Sequence, residues 1–267
     1  MIITVKNLWK KYGDNVVLEN INLNVKEHEF VTIVGASGCG KTTFLKILLG
    51  EETITRGSFM LDGKPLPDEP GSDRGVVFQR YSVFPHLTVL ENVMLGLEFA
   101  ASPVFGKLFG SAHKQARDKA EAMLQEVGLY DVRQRYANQL SGGMQQRLSI
   151  AQSVICEPRI LLLDEPFGAL DPGITDDMHK LILRLWHEHR MTIFMITHDI
   201  KEGFELGTRL LVFDKVRRDA QAQTAYGATI TYDLPLKSVD RNIKKEVIEE
   251  TQRTETFIQS RKLAPSH

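Results

Sequence analysis

The sequence predicts an α/β fold in which an antiparallel β region precedes a mostly parallel sheet and a helical segment is inserted. Three observations lead to this prediction: alternating residues over positions 1–30, short apolar runs from Phe30 onward, and helical periodicity between those runs. The chain has 267 residues, of which 42% are hydrophobic and 25% charged, so it can bury a sizeable core. Length alone leaves open one large domain or a main domain with an insertion.

The first thirty residues alternate in the manner of a half-buried antiparallel sheet. Ile21, Leu23 and Val25 share one face, and the intervening asparagines share the other. The later apolar runs do not alternate, which favours parallel strands covered on both faces, although run length alone does not exclude buried helix. These runs lie at residues 30–34, 75–78, 160–163, 193–196 and 210–213.

Helical stripes fill the gaps between the runs. One stripe contains Met144 and Leu148, and another follows Asp171-Pro172, where proline suits the first turn of a helix. Between the second and third runs we expect two helices, the first opening at a Thr88–Glu91 capping box and the second spanning about residues 112–127. The expected organisation is a domain at 1–235 with a helical subdomain inserted at about 86–145, followed by a charged, helical tail at 236–267.

Composition excludes several classes of partner and site. The net charge of −1 argues against nucleic acid as the main partner, because phosphate-backbone binding usually leaves a basic excess. Cys39 and Cys156 form no CxxC pair, so neither a disulfide framework nor a zinc site is indicated, and a reducing cytosol is the natural compartment. The amino terminus lacks the features of a signal peptide, and no apolar run approaches the roughly 18 residues needed to span a bilayer. A role at a membrane would therefore need a membrane-bound partner.

A glycine-rich segment after the first apolar run has the G-x-x-x-x-G-K-[ST] pattern of a phosphate-binding loop. In this pattern backbone N–H groups and the following helix bind phosphate oxygens, and the lysine ammonium lies near the β- and γ-phosphates. The alternative is a glycine-rich turn with an incidental lysine, which the flanking strand and helix disfavour. The predicted nucleotide-binding residues are Gly35, Ser37, Gly38, Cys39, Gly40, Lys41, Thr42 and Thr43. Thr42 would also hold Mg²⁺.

Cys39 contributes its backbone to this loop, and we expect its side chain to be dispensable. We also hypothesise that the thiol makes any nucleotide hydrolysis by this chain sensitive to thiol reagents.

A second strand ends in two carboxylates, Asp164 and Glu165. Two acids after a strand are more often a capped turn than a catalytic pair, but a phosphate loop in the same chain favours the catalytic interpretation. Asp164 would then orient Mg²⁺, and Glu165 would polarise the attacking water as general base.

The segment from Leu140 to Met144, which we call the signature segment, reads Leu-Ser-Gly-Gly-Met. Ser141 is a good N-cap, and Gly142 and Gly143 allow a ligand close to the start of the next helix. With the phosphate loop and the carboxylates, this segment makes the sequence resemble the ABC ATPases, a group of P-loop NTPases whose signature is LSGGQ. The resemblance covers roughly residues 1–215. Met144 replaces the glutamine, a change that we expect hydrolysis to survive.

The resemblance implies further site residues and partners. Tyr12 would stack on adenine, Gln79 would contact Mg²⁺ and the lytic water and respond to the membrane partner, and His198 would hold the γ-phosphate. ATP would be sandwiched between the phosphate loop of one subunit and Ser141–Gly143 of another, with Asp171 in the loop that crosses between them. The implied partners are transmembrane permease subunits, a second ATPase subunit and, indirectly, a solute-binding protein. The second subunit is either another copy of this chain, the favoured case, or a close homologue. The chain would be peripheral on the cytoplasmic face of the cell membrane.

The kind of transport stays open between several alternatives. Repair and chromosome ATPases and translation factors of this group are disfavoured, because they carry long coiled coils or tandem cassettes, and an exporter subunit is a further alternative. Residues 73–79 resemble the nitrate/sulfonate/taurine importers, whereas residues 81–86 resemble sugar, polyamine and betaine importers. The short tail favours the first branch and a small anionic or nitrogen-containing solute. Residues 101–110 are longer and more apolar than the usual link in this family.

Overall fold

The computed structural model describes residues 1–67, 69–79, 82–101, 108–217 and 224–236. The chain divides into two compact units, one formed by residues 1–70 and the chain from 193 onward, the other by residues 71–192. The second unit contains the predicted insertion at 86–145, whose boundaries stay a prediction. Most of the long link at 101–110 and nearly all of the predicted tail lie outside the described residues.

The strands and helices of the described ranges are numbered in the order in which they occur along the chain. The strands are β1 (Ile3–Tyr12), β2 (Asn15–Val25), β3 (Phe30–Gly35), β4 (Arg56–Leu61), β5 (Lys64–Pro65), β6 (Arg74–Val77), β7 (Ile160–Asp164), β8 (Thr192–Ile196), β9 (Arg209–Asp214) and β10 (Thr229–Pro235). The α-helices are α1 (Lys41–Leu49), α2 (Val89–Ala101), α3 (Gly110–Glu126), α4 (Gly142–Val154), α5 (Pro172–His189) and α6 (Ile200–Leu206), with 3₁₀ turns at Tyr130–Val132 and Ala137–Gln139.

The first unit contains an antiparallel sheet in the order β2-β1-β4-β5. The predicted alternation is confirmed, because Ile21, Leu23 and Val25 are buried while the asparagines between them are exposed. A two-residue turn joins β1 to β2, and its Gly13 has φ 58°, a left-handed conformation that glycine adopts without steric cost.

The first unit also contains strands in the order β10-β9-β3-β8, in which β3 pairs in parallel with both β8 and β9. All six residues of β3 and all five of β8 are buried, which explains why these strands have no polar face in the sequence. β10 pairs antiparallel with β9 at the edge. The predicted parallel strands are therefore confirmed, and α1 follows β3 directly.

The second unit combines the parallel pair β6 and β7 with helices α2 to α5. The capping box is confirmed at α2: the Thr88 N–H donates to Glu91 Oε2 at 2.7 Å, and the Glu91 N–H donates to Thr88 Oγ1 at 3.2 Å. α3 ends two residues before Gly128, which has φ 73° and closes the helix as expected. No helix in the described ranges is both long and apolar enough to cross a bilayer.

Candidate functional site

The phosphate loop runs from the buried strand β3 to the start of α1, where the sequence placed it. Gly35 has φ 147°, and a Cβ atom on it would lie 2.1 Å from the Phe213 carbonyl oxygen. Gly40 has φ 91°, and its Cβ would lie 2.8 Å from Leu18 Cδ2. Both positions therefore require glycine, because only glycine lets the loop pack this closely against Phe213 and Leu18.

Lys41 is held by the loop that precedes it. Its side chain is only 5% exposed, and Nζ donates to the Gly35 carbonyl at 2.6 Å and to the Ala36 carbonyl at 3.1 Å. These two main-chain hydrogen bonds hold the Lys41 ammonium group in place at the loop. Because the N-terminus of α1 also directs backbone N–H groups to this place, the loop is suited to binding phosphate.

Thr42 and Thr43 open α1, and the structure brings Thr43 into contact with Tyr12. Tyr12 lies at the end of β1, and 45% of its surface is exposed. Burial of the hydroxyl and its donation to Glu52 raise the pKa of Tyr12, whereas a hydrogen bond from Thr43 lowers it. Two predicted nucleotide contacts are thus adjacent in the first unit.

Sequence reasoning missed the ion pair that supports Tyr12. Lys10 Nζ lies 2.7 Å from Glu52 Oε2, donates to the Thr53 carbonyl at 2.7 Å, and lies 4.7 Å from the Tyr12 ring centroid. Hydrogen bonds from Lys10 and Tyr12 lower the pKa of Glu52. No local signal in the sequence joins these residues, because 42 positions separate the lysine from its carboxylate.

The Cys39 side chain is buried within the loop, with 4% exposure. Burial raises the pKa of its thiol, and the nearby Lys41 charge offsets this only in part. Its backbone N–H donates to the Ala36 carbonyl at 3.2 Å, so the residue contributes main chain to the loop. A buried thiol with a raised pKa reacts slowly, which argues against the thiol sensitivity expected from the sequence.

His198 lies in the first unit, immediately after β8, on a segment with anchored neighbours. Thr197 Oγ1 donates to the Glu202 carboxylate and accepts from the Asp199 N–H at 3.0 Å, while the Thr197 N–H donates to the Ile33 carbonyl at 3.1 Å. Asp199 also caps α6. The exposed imidazole is therefore presented from a fixed backbone.

In the second unit, Asp164 ends β7 and Glu165 follows it, both half-buried. Glu165 has φ 51°, a left-handed conformation that is unusual for a non-glycine residue and occurs disproportionately at functional sites. Gln79 lies in the same unit, exposed, two residues after the end of β6. Asp164 and Gln79 both offer oxygen atoms, the ligand type that Mg²⁺ prefers.

The signature segment starts α4 as predicted. Ser141 is the N-cap, and its Oγ accepts from the Met144 N–H at 3.4 Å. Gly142 is exposed, whereas Gly143 is buried against Ile174 in the first turn of α5. Asp171 is the N-cap residue of that helix. The structure thus brings the signature segment and Asp171 into one neighbourhood within the second unit.

The phosphate loop and the fold define a nucleotide-binding protein of the P-loop class, and comparison with known proteins specifies it further. The ABC transporter family model matches residues 18–168. The nitrate import ATP-binding protein NrtD of Synechocystis sp. is 44% identical over 76% of this chain and 72% of its own length. The taurine import ATP-binding protein TauB of Escherichia coli O157:H7 is 41% identical over 79% of each chain.

A solved structure gives the same result for the fold. The dimeric ATP-binding cassette MJ0796 in a post-hydrolysis state with ADP and Pi is 31% identical, with a TM-score of 0.69 over 89% of this chain and 100% of that one. The chain therefore belongs to the ABC transporter family, as an ATP-binding and ATP-hydrolysing subunit. The predicted α/β P-loop fold is confirmed.

Proposed function

We propose that this chain powers the import of a small anionic or nitrogen-containing solute through a separate permease. The observation that carries the proposal is the buried Lys41, whose ammonium group is hydrogen-bonded to the Gly35 and Ala36 carbonyls. This preorganised charge supports ATP binding at the phosphate loop as the energy source for transport. The names of the relatives support import, since NrtD is named for nitrate import and TauB for taurine import. Nitrate is a small anion, and taurine carries both a sulfonate and an amine.

Each predicted site residue has a distinct role in this proposal. Tyr12 stacks on adenine, and the loop residues Gly35 to Thr43, with Lys41 foremost, bind the phosphates. Glu165 polarises the attacking water, and His198 holds the γ-phosphate. The nucleotide bound by a second subunit is contacted by Ser141, Gly142 and Gly143. Asp171 lies in the loop that crosses to that subunit.

Mg²⁺ fits the donors that this chain offers. Thr42 is an exposed hydroxyl at the start of α1, Gln79 is an exposed amide, and Asp164 is a half-buried carboxylate, all hard oxygen ligands. When bound, Mg²⁺ neutralises charge on the phosphates. The chain's own residues then position the triphosphate and the water, which is the larger part of catalysis in phosphoryl transfer.

The proposed partners are permease subunits and a second copy of this chain, with a solute-binding protein acting through the permease. The chain would act at the cytoplasmic face of the membrane, where ATP is available. Gln79 and the helices of the second unit are the proposed transmission surface. ATP binding closes two subunits and hydrolysis reopens them, which gives the permease a mechanical cycle.

Uptake measurements test the whole proposal. Cells lacking this gene would be complemented with the wild-type chain, with Lys41→Ala, or with Lys46→Ala, which removes an exposed lysine from the same helix. We expect wild type and Lys46→Ala to restore uptake of nitrate, taurine or an aliphatic sulfonate, and Lys41→Ala to restore none. Uptake of all these solutes at wild-type rates in the knockout cells would overturn the import proposal.

A further inference from the structure

The last turn of helix α4, which begins at the signature segment, is hydrogen-bonded to two other parts of the second unit. Ser153 Oγ donates to the Val76 carbonyl at 2.7 Å, in the strand β6 that leads to Gln79. The neighbouring Gln152 donates through Nε2 to Asn92 Oδ1 at 3.0 Å and to the Asn92 carbonyl at 3.2 Å. Two consecutive residues of α4 are therefore tied to β6 and to α2.

Asn92 extends this connection to the turn at residues 84–88. It is 0% exposed, and its side chain pairs with the main chain of Phe84: the Phe84 N–H donates to Oδ1 at 2.8 Å, and Nδ2 donates to the Phe84 carbonyl at 3.1 Å. Nδ2 also lies 3.2 Å from the Leu87 carbonyl and 2.9 Å from the Thr88 carbonyl. With Phe84 and Gln152 both donating to it, Oδ1 uses both of its lone pairs.

Close backbone packing accompanies these hydrogen bonds. Gly96 lies one helical turn after Asn92, and a Cβ atom on it would lie 3.0 Å from Cys156 Sγ, 3.4 Å from Ile155 Cγ2 and 3.6 Å from the Gln152 carbonyl oxygen. α2 therefore packs closely at Gly96 against the end of α4 and the residues just after it, and an amide pair, buried at Asn92 and partly buried at Gln152, links the two helices. Separating them would remove the two hydrogen bonds that Gln152 donates to Asn92, each with a net contribution of about 0.5–1.5 kcal/mol.

We propose that Asn92, Gln152 and Ser153 are positioning residues that make the 84–88 turn, β6 and helix α4 move as one body. The Phe84 side chain is exposed on this turn. When the turn is displaced, Asn92 and Gln152 transmit the movement to α4, and the helix transmits it to Ser141 at its start. Eleven residues separate Ser141 from Gln152, about 16 Å along a rigid helix. This inference rests on the proposed function, since it supplies the internal connection between permease-facing residues and the nucleotide-binding signature segment.

Hydrogen–deuterium exchange of the full chain tests the connection, with Mg²⁺ and ATP as the probe. The reference protein carries Glu165→Gln so that bound ATP persists. We expect ATP to slow exchange in peptides covering residues 140–146 and also in those covering 84–92. Adding Gln152→Leu should leave the change at 140–146 intact and reduce the change at 84–92 at least by half. ATP should also slow exchange at residues 74–77 of the reference protein, and Ser153→Ala should reduce that change at least by half.

Gln125→Leu is the matched control, because Gln125 is an exposed glutamine on α3 of the same unit. A merely structural role of Gln152 would raise exchange at 84–92 with and without ATP but keep the difference between them. The inference would be overturned if the ATP-dependent change at 84–92 survives Gln152→Leu, if the change at 74–77 survives Ser153→Ala, or if either change is absent from the reference protein. Failure of the reference protein to bind ATP would instead refute the proposed function itself, and gel filtration with ATP separates the two results.

Discussion

Gly143 of the signature segment packs directly against Ile174, three residues after the Asp171 N-cap of α5. A Cβ atom on Gly143 would lie 2.7 Å from Ile174 Cγ2, closer than real side chains approach. One of the two glycines predicted from the sequence to admit a ligand thus also admits a neighbouring helix. The contact joins two segments that the family resemblance assigns to the second subunit's nucleotide.

Gly143→Ala should therefore impair the ATPase by displacing the start of α4 from α5. Overpacking of this kind costs about 1–3 kcal/mol, which corresponds to roughly a five- to 150-fold loss of kcat/KM if the whole cost raises the transition-state barrier. Gly173→Ala is the control, since a Cβ there meets nothing within 4 Å. Phosphate release assays would compare the two variants, and equal activity would show that the Gly143–Ile174 contact has no functional weight.

The Cys39 thiol should be alkylated slowly at neutral pH. Burial raises its pKa, so a smaller fraction is thiolate at any given pH, and the reactive fraction increases only as the pH rises towards that pKa. Iodoacetamide labelling followed by peptide mass spectrometry should show a rate at least tenfold below that of a free cysteine at pH 7.5, and increasing into the alkaline range. Rapid labelling at pH 7.5 would contradict the buried placement.

Gln146→Met should stabilise the protein. The Gln146 side chain is 0% exposed, and neither its amide nitrogen nor its amide oxygen has a hydrogen-bond partner in the part of the chain that the structure describes. Replacing an unpaired buried amide by a side chain of similar length should raise the free energy of unfolding by about 1 kcal/mol. Denaturant titration measures this change.

Gln145→Met, at the adjacent position, is the control, because we expect it to destabilise the protein. Gln145 Nε2 donates to the Ala137 and Leu140 carbonyls, each at 3.2 Å, so this substitution should lower the free energy of unfolding. Equal shifts for the two variants would mean that Gln146 has a partner after all.

The sequence predicted the elements whose causes are local. Burial of all of β3 and β8 and of the first four residues of β7 produces continuous apolar runs. The Thr88–Glu91 capping box and the Ser141 N-cap are interactions within four residues. The phosphate loop could also be predicted from the sequence, because Lys41 is hydrogen-bonded to carbonyls only five and six residues earlier in the chain. These features agree between sequence and structure for that reason.

Contacts that depend on which distant residues meet were not predictable. The hydrogen bond between Gln152 and Asn92 spans 60 positions, and the Lys10–Glu52 ion pair spans 42. Gln146 looked like an ordinary polar residue of a helix, because an isolated sequence does not show which face of α4 is covered. Long-range pairing of this kind requires the fold to be known.

The most direct measurement of the central claim is ATP turnover and dimer formation by Glu165→Gln. If Glu165 is the general base, this variant should hydrolyse ATP about a hundredfold or more slowly than wild type while still binding it. Gel filtration with Mg²⁺ and ATP should then show a stable dimer for Glu165→Gln and mainly monomer for wild type after turnover. Near-normal hydrolysis by Glu165→Gln, with no ATP-dependent dimer, would contradict the account.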